Sequence, residues 1–307
     1  MTSLQKGWER ARARFEERVG PTAAWRAVAR FISDTMTDSA ATLAYYAMLS
    51  LFPGLLFALT IVGLAGGEGL VSQIVRFARQ RGADTATAQV VEQVARAATE
   101  RSSGTLTIAL VISLLLLLNS ASGAFNAAGR AVNRAHDVAE DRSFVRRRIV
   151  VVGLTLVVIA LFVLSMAAIF VGGELATRLF AHVGLGEQAA AVWDVLRWPF
   201  ALACALAGVA IVLRYAPAEA AQRRRLITSG SLVTVVLWVL GSAGFAVYVK
   251  GFSHYGALYG VFSTAVVLLV WLYLMSVAFL YGAELDGELR RRRVAREARS
   301  IDSPPLR

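Results

Sequence analysis

Six long apolar segments, separated by loops that carry most of the charged residues, dominate the pattern of this chain. Each is long enough to cross a membrane as a helix, because the hydrocarbon core is about 30 Å thick and a helix rises about 1.5 Å per residue. The pattern therefore predicts an all-α, polytopic membrane protein with six transmembrane helices. The predicted spans are Thr42–Leu64, Thr105–Gly129, Ile149–Val171, Trp198–Tyr215, Ile227–Val249 and Leu258–Leu280.

The first span is semi-polar in its first half, where Tyr45, Tyr46 and Ser50 precede Pro53. Proline removes a backbone donor and clashes with the carbonyl of the residue four positions earlier, so we expect a kink in mid-membrane. Such breaks persist where neighbouring helices, hydroxyls or water satisfy the freed carbonyl. Tyr45, Tyr46 and Ser50 are therefore expected to face protein or a cavity rather than lipid.

The second span ends in a stretch of small and polar residues that form one helical stripe. Small residues allow close helix contact and amides can bond across an interface, so one interpretation is a packing seam. The other is the polar wall of a substrate or ion path, since polar groups inside a membrane are costly and often functional. Both stay open. The stripe consists of Asn119, Ser122, Asn126, Arg130 and Asn133.

The later spans carry two further features at their ends. Trp193, Trp198 and Pro199 precede the fourth span and predict an aromatic belt with a proline at the helix start. Glu284 lies one turn beyond Leu280 at the end of the sixth span. It is either a solvated or salt-bridged end carboxylate or a group that faces a cavity, and it is the one candidate for coupling transport to an ion.

Arginine is distributed unevenly among the loops. The formal net charge is +11. Basic residues crowd the segment before the first span, the loops after the second and fourth spans, and the segment after the sixth. This positive-inside pattern predicts cytoplasmic termini. It also accounts for the basic charge without nucleic acid, which we do not expect as a partner.

The chain is predicted to be one membrane domain, residues 39–288, with two tails. Residues 1–38 form a cytoplasmic amphipathic segment, and residues 289–307 a basic tail expected to be disordered. Two short helices are expected on the outer face within the first loop, around Leu70–Phe77 and Val90–Ala98.

Arginines separate the apolar residues of the amphipathic segment, which suits a helix at an anionic inner leaflet. Packing against the cytoplasmic ends of the spans is a compatible alternative. One apolar face consists of Trp25, Val28, Ala29 and Ile32.

Catalytic chemistry has little support in the sequence. Metal-dependent hydrolysis needs clustered ligands, and the histidines, His136, His182 and His254, are scattered over different loops. A phosphate-binding loop of the Gly-x-x-x-x-Gly-Lys-Ser/Thr kind is missing from the sequence. The single cysteine, Cys204, lies inside a span and is expected to be inert packing. We expect no enzyme activity, cofactor or metal.

Three groups of residues together resemble the YihY/virulence factor BrkB family, long labelled ribonuclease BN-like. The first is the run from Ala41 to Pro53, and the second runs from Ala131 to Val138, followed by Arg142-Ser143-Phe144. The third comprises Tyr215-Ala-Pro217, Trp238, Tyr248, Tyr259-Gly260, Trp271-Leu-Tyr273 and Leu280-Tyr-Gly282-Ala283-Glu284-Leu. The likeness covers roughly residues 35 to 288.

The resemblance implies a six-helix bacterial inner-membrane protein of poorly defined activity. Its ribonuclease label looks like a misassignment, because the tRNA-processing enzyme of that name carries a dense histidine/aspartate metal motif that this chain lacks. Two departures stand out. Thr228-Ser-Gly230-Ser replaces a common Gly-Ala at the start of the fifth span. Leu285-Asp286-Gly287 replaces a stretch where asparagine is common, and the role of Asp286 is not evident from sequence.

The leading hypothesis is a transporter, or a translocator of lipid or solute, in the cell envelope. The alternative is a non-transporting membrane scaffold or an envelope- or virulence-associated factor. Expected partners are membrane lipids, anionic at the cytoplasmic face, and a small solute or lipid substrate of unknown identity, with the oligomeric state open. The residues expected to line a polar path are Tyr45, Tyr46, Ser50, Pro53, Asn119, Ser122, Asn126, Arg130 and Glu284.

Overall fold

The computed structural model describes residues 22–64, 103–170, 186–218, 226–251 and 256–302. Within these ranges the regular secondary structure is helical, and strands do not occur. The helices are α1 (Ala23–Ser33), α2 (Met36–Leu64), α3 (Ser103–Ala135), α4 (Phe144–Phe170), α5 (Gly186–Tyr215), α6 (Ser229–Gly251) and α7 (Gly256–Asp302).

Six of these helices, α2 to α7, are long and apolar enough to cross a membrane. This confirms the all-α fold with six candidate spans. Because successive spans alternate in direction, the starts of α2, α4 and α6 lie on the same side of the membrane as the ends of α3, α5 and α7. We call it the arginine-rich side, because the arginine-rich loops lie there. That this side is cytoplasmic stays a prediction.

Two prolines lie inside helices. α2 continues through Pro53 as one helix. The expectation that Pro199 starts the fourth span is wrong, because α5 begins at Gly186 and contains Pro199 in its interior. Proline is tolerated inside a membrane helix where neighbouring groups satisfy the freed carbonyl, so a proline marks a helix start less reliably there.

The last helix is longer than its apolar part. α7 has 47 residues, about 70 Å at 1.5 Å per residue, which is more than twice the hydrocarbon thickness. Residues 289–302 are therefore helical, contrary to the disorder expected for residues 289–307. Glu288 pairs with Arg291 and Arg292, three and four residues later, and these pairs support the helix at the start of this stretch. The two outer-face helices predicted in the first loop lie outside the described residues.

The chain divides into two compact units. The first contains Met1–Leu43, Ala127–Phe144 and Val209–Arg307, and the second contains Ala44–Asn126 and Val145–Gly208. In the first unit α7 packs against both α6 and α1. In the second unit α2, α3, α4 and α5 contribute their apolar middle parts, and much of that surface is exposed leucine, valine, isoleucine and phenylalanine that suits lipid.

Candidate functional site

The second unit brings the first two predicted spans into contact around a tyrosine. The ring of Tyr46 lies where a Cβ on Gly123 would be, so α2 and α3 approach closely only because position 123 is glycine. Tyr45 makes an edge-to-face contact with Tyr46, with ring centroids 5.5 Å apart. Gly123, which lies beside the stripe, therefore accommodates an aromatic ring from the neighbouring helix, as a packing seam would.

The polar stripe is partly satisfied inside the protein. Ser122 is buried and donates its hydroxyl hydrogen to the carbonyl of Leu118. Asn126 donates through Nδ2 to the carbonyl of Ser122 at 2.9 Å and accepts through Oδ1 from Nε of Arg147 at 3.0 Å. Both ends of the Asn126 amide thus have partners, which favours the packing interpretation for these two residues.

The other residues predicted to line a polar path differ in their exposure to solvent. Tyr45 is 57% exposed, which does not fit a side chain enclosed by protein, and Asn119 is also exposed. Ser50 donates to the carbonyl of Ala47 at 2.7 Å, so its hydroxyl is engaged within α2. Pro53 is half-buried in the same helix, also in the second unit. Arg130 is exposed and belongs to the first unit, as does Glu284.

Glu284 is the most unusual side chain of the first unit. It is 0% exposed, and neither carboxylate oxygen has a hydrogen-bond partner among the described residues. Its nearest cation is Arg291, with Nη2 4.0 Å from Oε2. That distance allows an ion pair and is too long for a hydrogen bond. A solvated end carboxylate does not fit this burial, whereas the two other expected alternatives, a salt-bridged carboxylate and a group that faces a cavity, both stay open.

Arg291 connects this carboxylate to a charged cluster at the end of α3. Its Nη1 donates to Asp137 at 3.0 Å and to the carbonyl of Ala135 at 2.8 Å. Arg30 of α1 donates to the same Asp137 carboxylate, at 3.1 Å to Oδ2. Asp137 has a positive φ of 55°, a conformation that aspartate tolerates better than most residues. We call Glu284, Arg291, Asp137 and Arg30 the carboxylate cluster.

Glu288, a second acidic residue of α7, forms ion pairs with an arginine of α1 and with two arginines of α7. Glu288 is buried and lies 3.8 Å from Arg26 of α1. It also accepts from Nε of Arg291 at 3.4 Å and from Nε of Arg292 at 3.0 Å. Among the residues that the structure describes, three guanidinium groups surround Glu288, whereas only that of Arg291 lies within 4.0 Å of Glu284.

The structure assigns a role to Asp286, which sequence reasoning left without one. Its Oδ1 accepts a hydrogen bond from the backbone N–H of Gly230 at 2.9 Å, within the first turn of α6. Such an N–H has no partner within its own helix, and the positive end of the helix dipole favours a carboxylate there. The close approach also explains why the second residue of α6, at position 230, is glycine, since a Cβ there would meet Gly282 and Asp286.

Sequence reasoning also missed a buried polar junction at the end of α5. Arg142 binds Glu140 through Nε at 2.7 Å and Nη2 at 2.9 Å. It also donates to the carbonyls of Tyr215 and Ala216 at 3.2 and 2.7 Å, closing the carboxyl end of the helix. The signal was present in the two family motifs that contain Arg142 and Tyr215, but their contact could not be read from the sequence.

Comparison with known proteins decides the family. The model of the family described as virulence factor BrkB matches residues 27–306, nearly the whole described structure. The chain belongs to the virulence factor BrkB family. The resemblance suggested by the motifs is thus confirmed.

Similar proteins from other bacteria agree with this assignment. A ribonuclease-like protein, YfkH, from Bacillus subtilis is 28% identical over 259 residues, covering 83% of this chain and 90% of the relative. A UPF0761 membrane protein, Smlt0865, from Stenotrophomonas maltophilia is 29% identical over 279 residues, covering 85% of this chain. The chain spans only 59% of the length of that relative. No solved structure matches the chain.

Family and fold together make this a multi-pass bacterial membrane protein. The ribonuclease-like name belongs to the Bacillus relative. In the described parts of this chain no group of three or more His, Cys, Asp or Glu side chains could hold a metal ion. The candidate site of this BrkB-family chain is the carboxylate cluster in the first unit. The α2–α3 seam is a separate feature of the second unit.

Proposed function

We propose that the protein translocates a lipid or a solute across the bacterial membrane and that Glu284 binds the cargo or a cation that moves with it. The observation that carries this proposal is the burial of Glu284 without a hydrogen-bond partner among the described residues. A buried carboxylate without donors is costly, and an ionisable group in a membrane-spanning helix is by default a functional candidate. A purely structural carboxylate would have donors, as Asp286 has.

The ion pairs of the carboxylate cluster connect Glu284 to residues of other helices, so a change of charge at Glu284 could alter how those helices pack. Arg291 lies between Glu284 and Asp137, so a change of charge on Glu284 alters the balance of ion pairs at Arg291. Arg30 shares Asp137 with Arg291 and belongs to α1. Neutralising Glu284 would leave Arg291 attracted more strongly to Asp137 and Glu288. Binding of a cation at Glu284 would thereby be linked to α1 and to the end of α3.

The residues predicted to line a polar path differ in whether their polar groups are available to a cargo. Ser122 and Asn126 are engaged in packing, and we assign them to the seam. Asn119 and Arg130 are exposed, and among the described residues neither has a polar partner. We propose Arg130, which belongs to the same unit as Glu284, as a contact for a phosphate or carboxylate group of the cargo at the arginine-rich side.

The test compares two neutralising variants in lipid vesicles. Purified protein is reconstituted with NBD-labelled phosphatidylglycerol or phosphatidylethanolamine, and dithionite bleaching reports the label that reaches the outer leaflet. Glu284→Gln removes the buried charge, and Glu297→Gln removes an exposed carboxylate from the same helix. We expect the wild type and Glu297→Gln to bleach the inner-leaflet label, and Glu284→Gln to fall to the protein-free rate.

Two results would count against the proposal. Equal bleaching by Glu284→Gln and the wild type removes Glu284 from lipid translocation. If the wild type itself moves neither labelled lipid, the lipid part is wrong. Solute transport is then tested on solid-supported membranes challenged with a proton or sodium gradient. It requires a current with the wild type that is absent with Glu284→Gln.

The second candidate is a scaffold that does not transport. The observation that favours it is the filled α2–α3 seam, in which Tyr46 occupies the space at Gly123 and the Asn126 amide is satisfied at both ends. A scaffold would leave the vesicle assay at background for every variant. It would also tolerate Glu284→Gln in cells as well as it tolerates Glu297→Gln.

A further inference from the structure

Helix α1 leaves one apolar stripe partly uncovered: Trp25 and Ile32 at its ends are exposed, and Val28 and Ala29 between them are half-buried. Its buried side chains are Ala27 and Phe31, through which it packs on α7. The backbone of Ala24 also accepts a hydrogen bond from the Tyr281 hydroxyl at 3.2 Å. Ile32, by contrast, is 68% exposed and Trp25 37% exposed. We call the face formed by Trp25, Val28, Ala29 and Ile32 the α1 outer stripe.

Both arginines of α1 reach acidic side chains of the same unit, although Arg26 is itself exposed. Arg30 binds Asp137, and Arg26 lies 3.8 Å from the buried Glu288. These pairs fix the rotation of α1 about its own axis, because Arg26 and Arg30 are four residues apart on one face. The outer stripe is consequently held outward by ion pairs on the opposite side of the helix.

The surroundings indicate what covers this stripe. A turn of two residues, Asp34 and Thr35, separates α1 from the membrane-spanning α2. Further apolar side chains of the same unit are exposed at helix ends on the arginine-rich side, namely Phe144, Tyr215, Leu226 and Ile227. Exposed aromatic and aliphatic side chains at such helix ends suit the lipid headgroup level.

We infer that α1 is an interfacial helix whose outer stripe inserts into the headgroup region of the membrane on the arginine-rich side. A helix that is apolar on one face and lies parallel to the membrane buries that face a short distance into the lipid. Since Arg30 is bound to Asp137, the stripe itself binds by apolar insertion and does not depend on anionic headgroups. This inference is independent of the proposed translocation.

Site-directed fluorescence tests the inference on the full-length protein in nanodiscs. Ile32→Cys, in a Cys204→Ser background, is labelled with NBD, and quenching is measured with nitroxide lipids and with aqueous iodide. Val294→Cys provides a matched control, because Val294 is an aliphatic residue of the same unit, 59% exposed, that follows the basic run of α7. Trp25→Cys repeats the measurement at the other end of the stripe.

The expected result is a blue-shifted label at position 32 that nitroxide lipid quenches several-fold more than iodide does, with the reverse order at position 294. Replacing phosphatidylglycerol by phosphatidylcholine should leave the quenching at position 32 unchanged. Strong iodide quenching at position 32 would overturn the inference, because the stripe would then face water. Protection from both quenchers would also overturn it, because a protein surface, such as a second copy, would then cover the stripe.

Discussion

The side-chain oxygen of Asn133 accepts a hydrogen bond of 2.7 Å from the backbone N–H of Ala218. This bond joins the end of α3 to the residues that follow α5. Gly129, one turn before Asn133, lies so close to the carbonyl of Ala216 that a Cβ would stand 2.7 Å from that oxygen. Two of the motifs that carry the family resemblance thus form one buried junction, whose first role is to hold helix ends together.

Asn133→Leu should destabilise the protein. The substitution leaves the buried N–H of Ala218 without an acceptor, at a cost of about 1–3 kcal/mol. Asn119→Leu is the matched control, since Asn119 is an exposed asparagine on the same helix. Thermal unfolding in detergent, followed by intrinsic fluorescence, should give a lower Tm for Asn133→Leu and a nearly unchanged Tm for Asn119→Leu. Equal Tm values would show that the junction does not depend on this bond.

Arg142→Lys should also lower the Tm, although it keeps the charge. The guanidinium binds Glu140 through two nitrogens and reaches two carbonyls at the end of α5. An ammonium group cannot reproduce this forked geometry. Arg148→Lys, at an exposed arginine nearby in sequence, is the control. A loss of stability of the same size in both variants would mean that geometry at Arg142 is unimportant.

The membrane fold could be predicted because lipid imposes a simple length rule on each span. Each apolar segment needed about 20 residues, and each supplied most or part of a helix of 23 to 47 residues. The pattern was weaker at helix ends, where polar residues continue a helix beyond the hydrocarbon. Pro199 and the residues after Glu288 illustrate this, since both were assigned to helix boundaries and both lie within helices.

The candidate site could be predicted only in part. Glu284 was recognised from its position after an apolar span, but its partners Asp137 and Arg30 come from distant parts of the chain. Within a membrane, the lipid-facing and protein-facing sides of a helix are both apolar, so periodicity does not reveal which face packs. For the same reason, the sequence could not show that Asn126 meets Arg147.

Gly282→Ala should destabilise the contact between α6 and α7. A Cβ at position 282 would meet the Thr234 hydroxyl and the backbone of Gly230, neither of which can move without shifting α6. Gly244→Ala is the control, because a Cβ there has no heavy atom within 4 Å among its surroundings. Alanine should be neutral or stabilising by up to about 1 kcal/mol at position 244. A Tm for Gly282→Ala at or above the wild type would contradict the close packing of these helices.

At Asp137, glycine should be tolerated better than alanine. Both substitutions remove the carboxylate that binds Arg30 and Arg291. Only alanine also carries a Cβ penalty at the positive φ of 55°, of about 1–2 kcal/mol. The Tm of Asp137→Gly should therefore equal or exceed that of Asp137→Ala. Ala139→Gly, two residues later at a position without positive φ, should show the usual order with alanine the more stable.

Glu284→Gln should leave the Tm unchanged or raise it. A neutral amide costs less to bury than a carboxylate without hydrogen bonds, and Arg291 keeps Asp137 and Glu288 as partners when Glu284 is neutral. Arg291→Gln is the comparison. It removes one of the two guanidinium partners of Asp137 and the donor to the carbonyl of Ala135, so it should lower the Tm.

The two variants together separate function from folding. A Glu284→Gln protein that is as stable as the wild type, and that no longer translocates in vesicles, would mean that Glu284 is retained for activity at the expense of stability. A fall in Tm as large as that of Arg291→Gln would instead make Glu284 a structural partner of Arg291. In that case a loss of translocation in Glu284→Gln could be attributed to misfolding, and the buried carboxylate would no longer support a transport role.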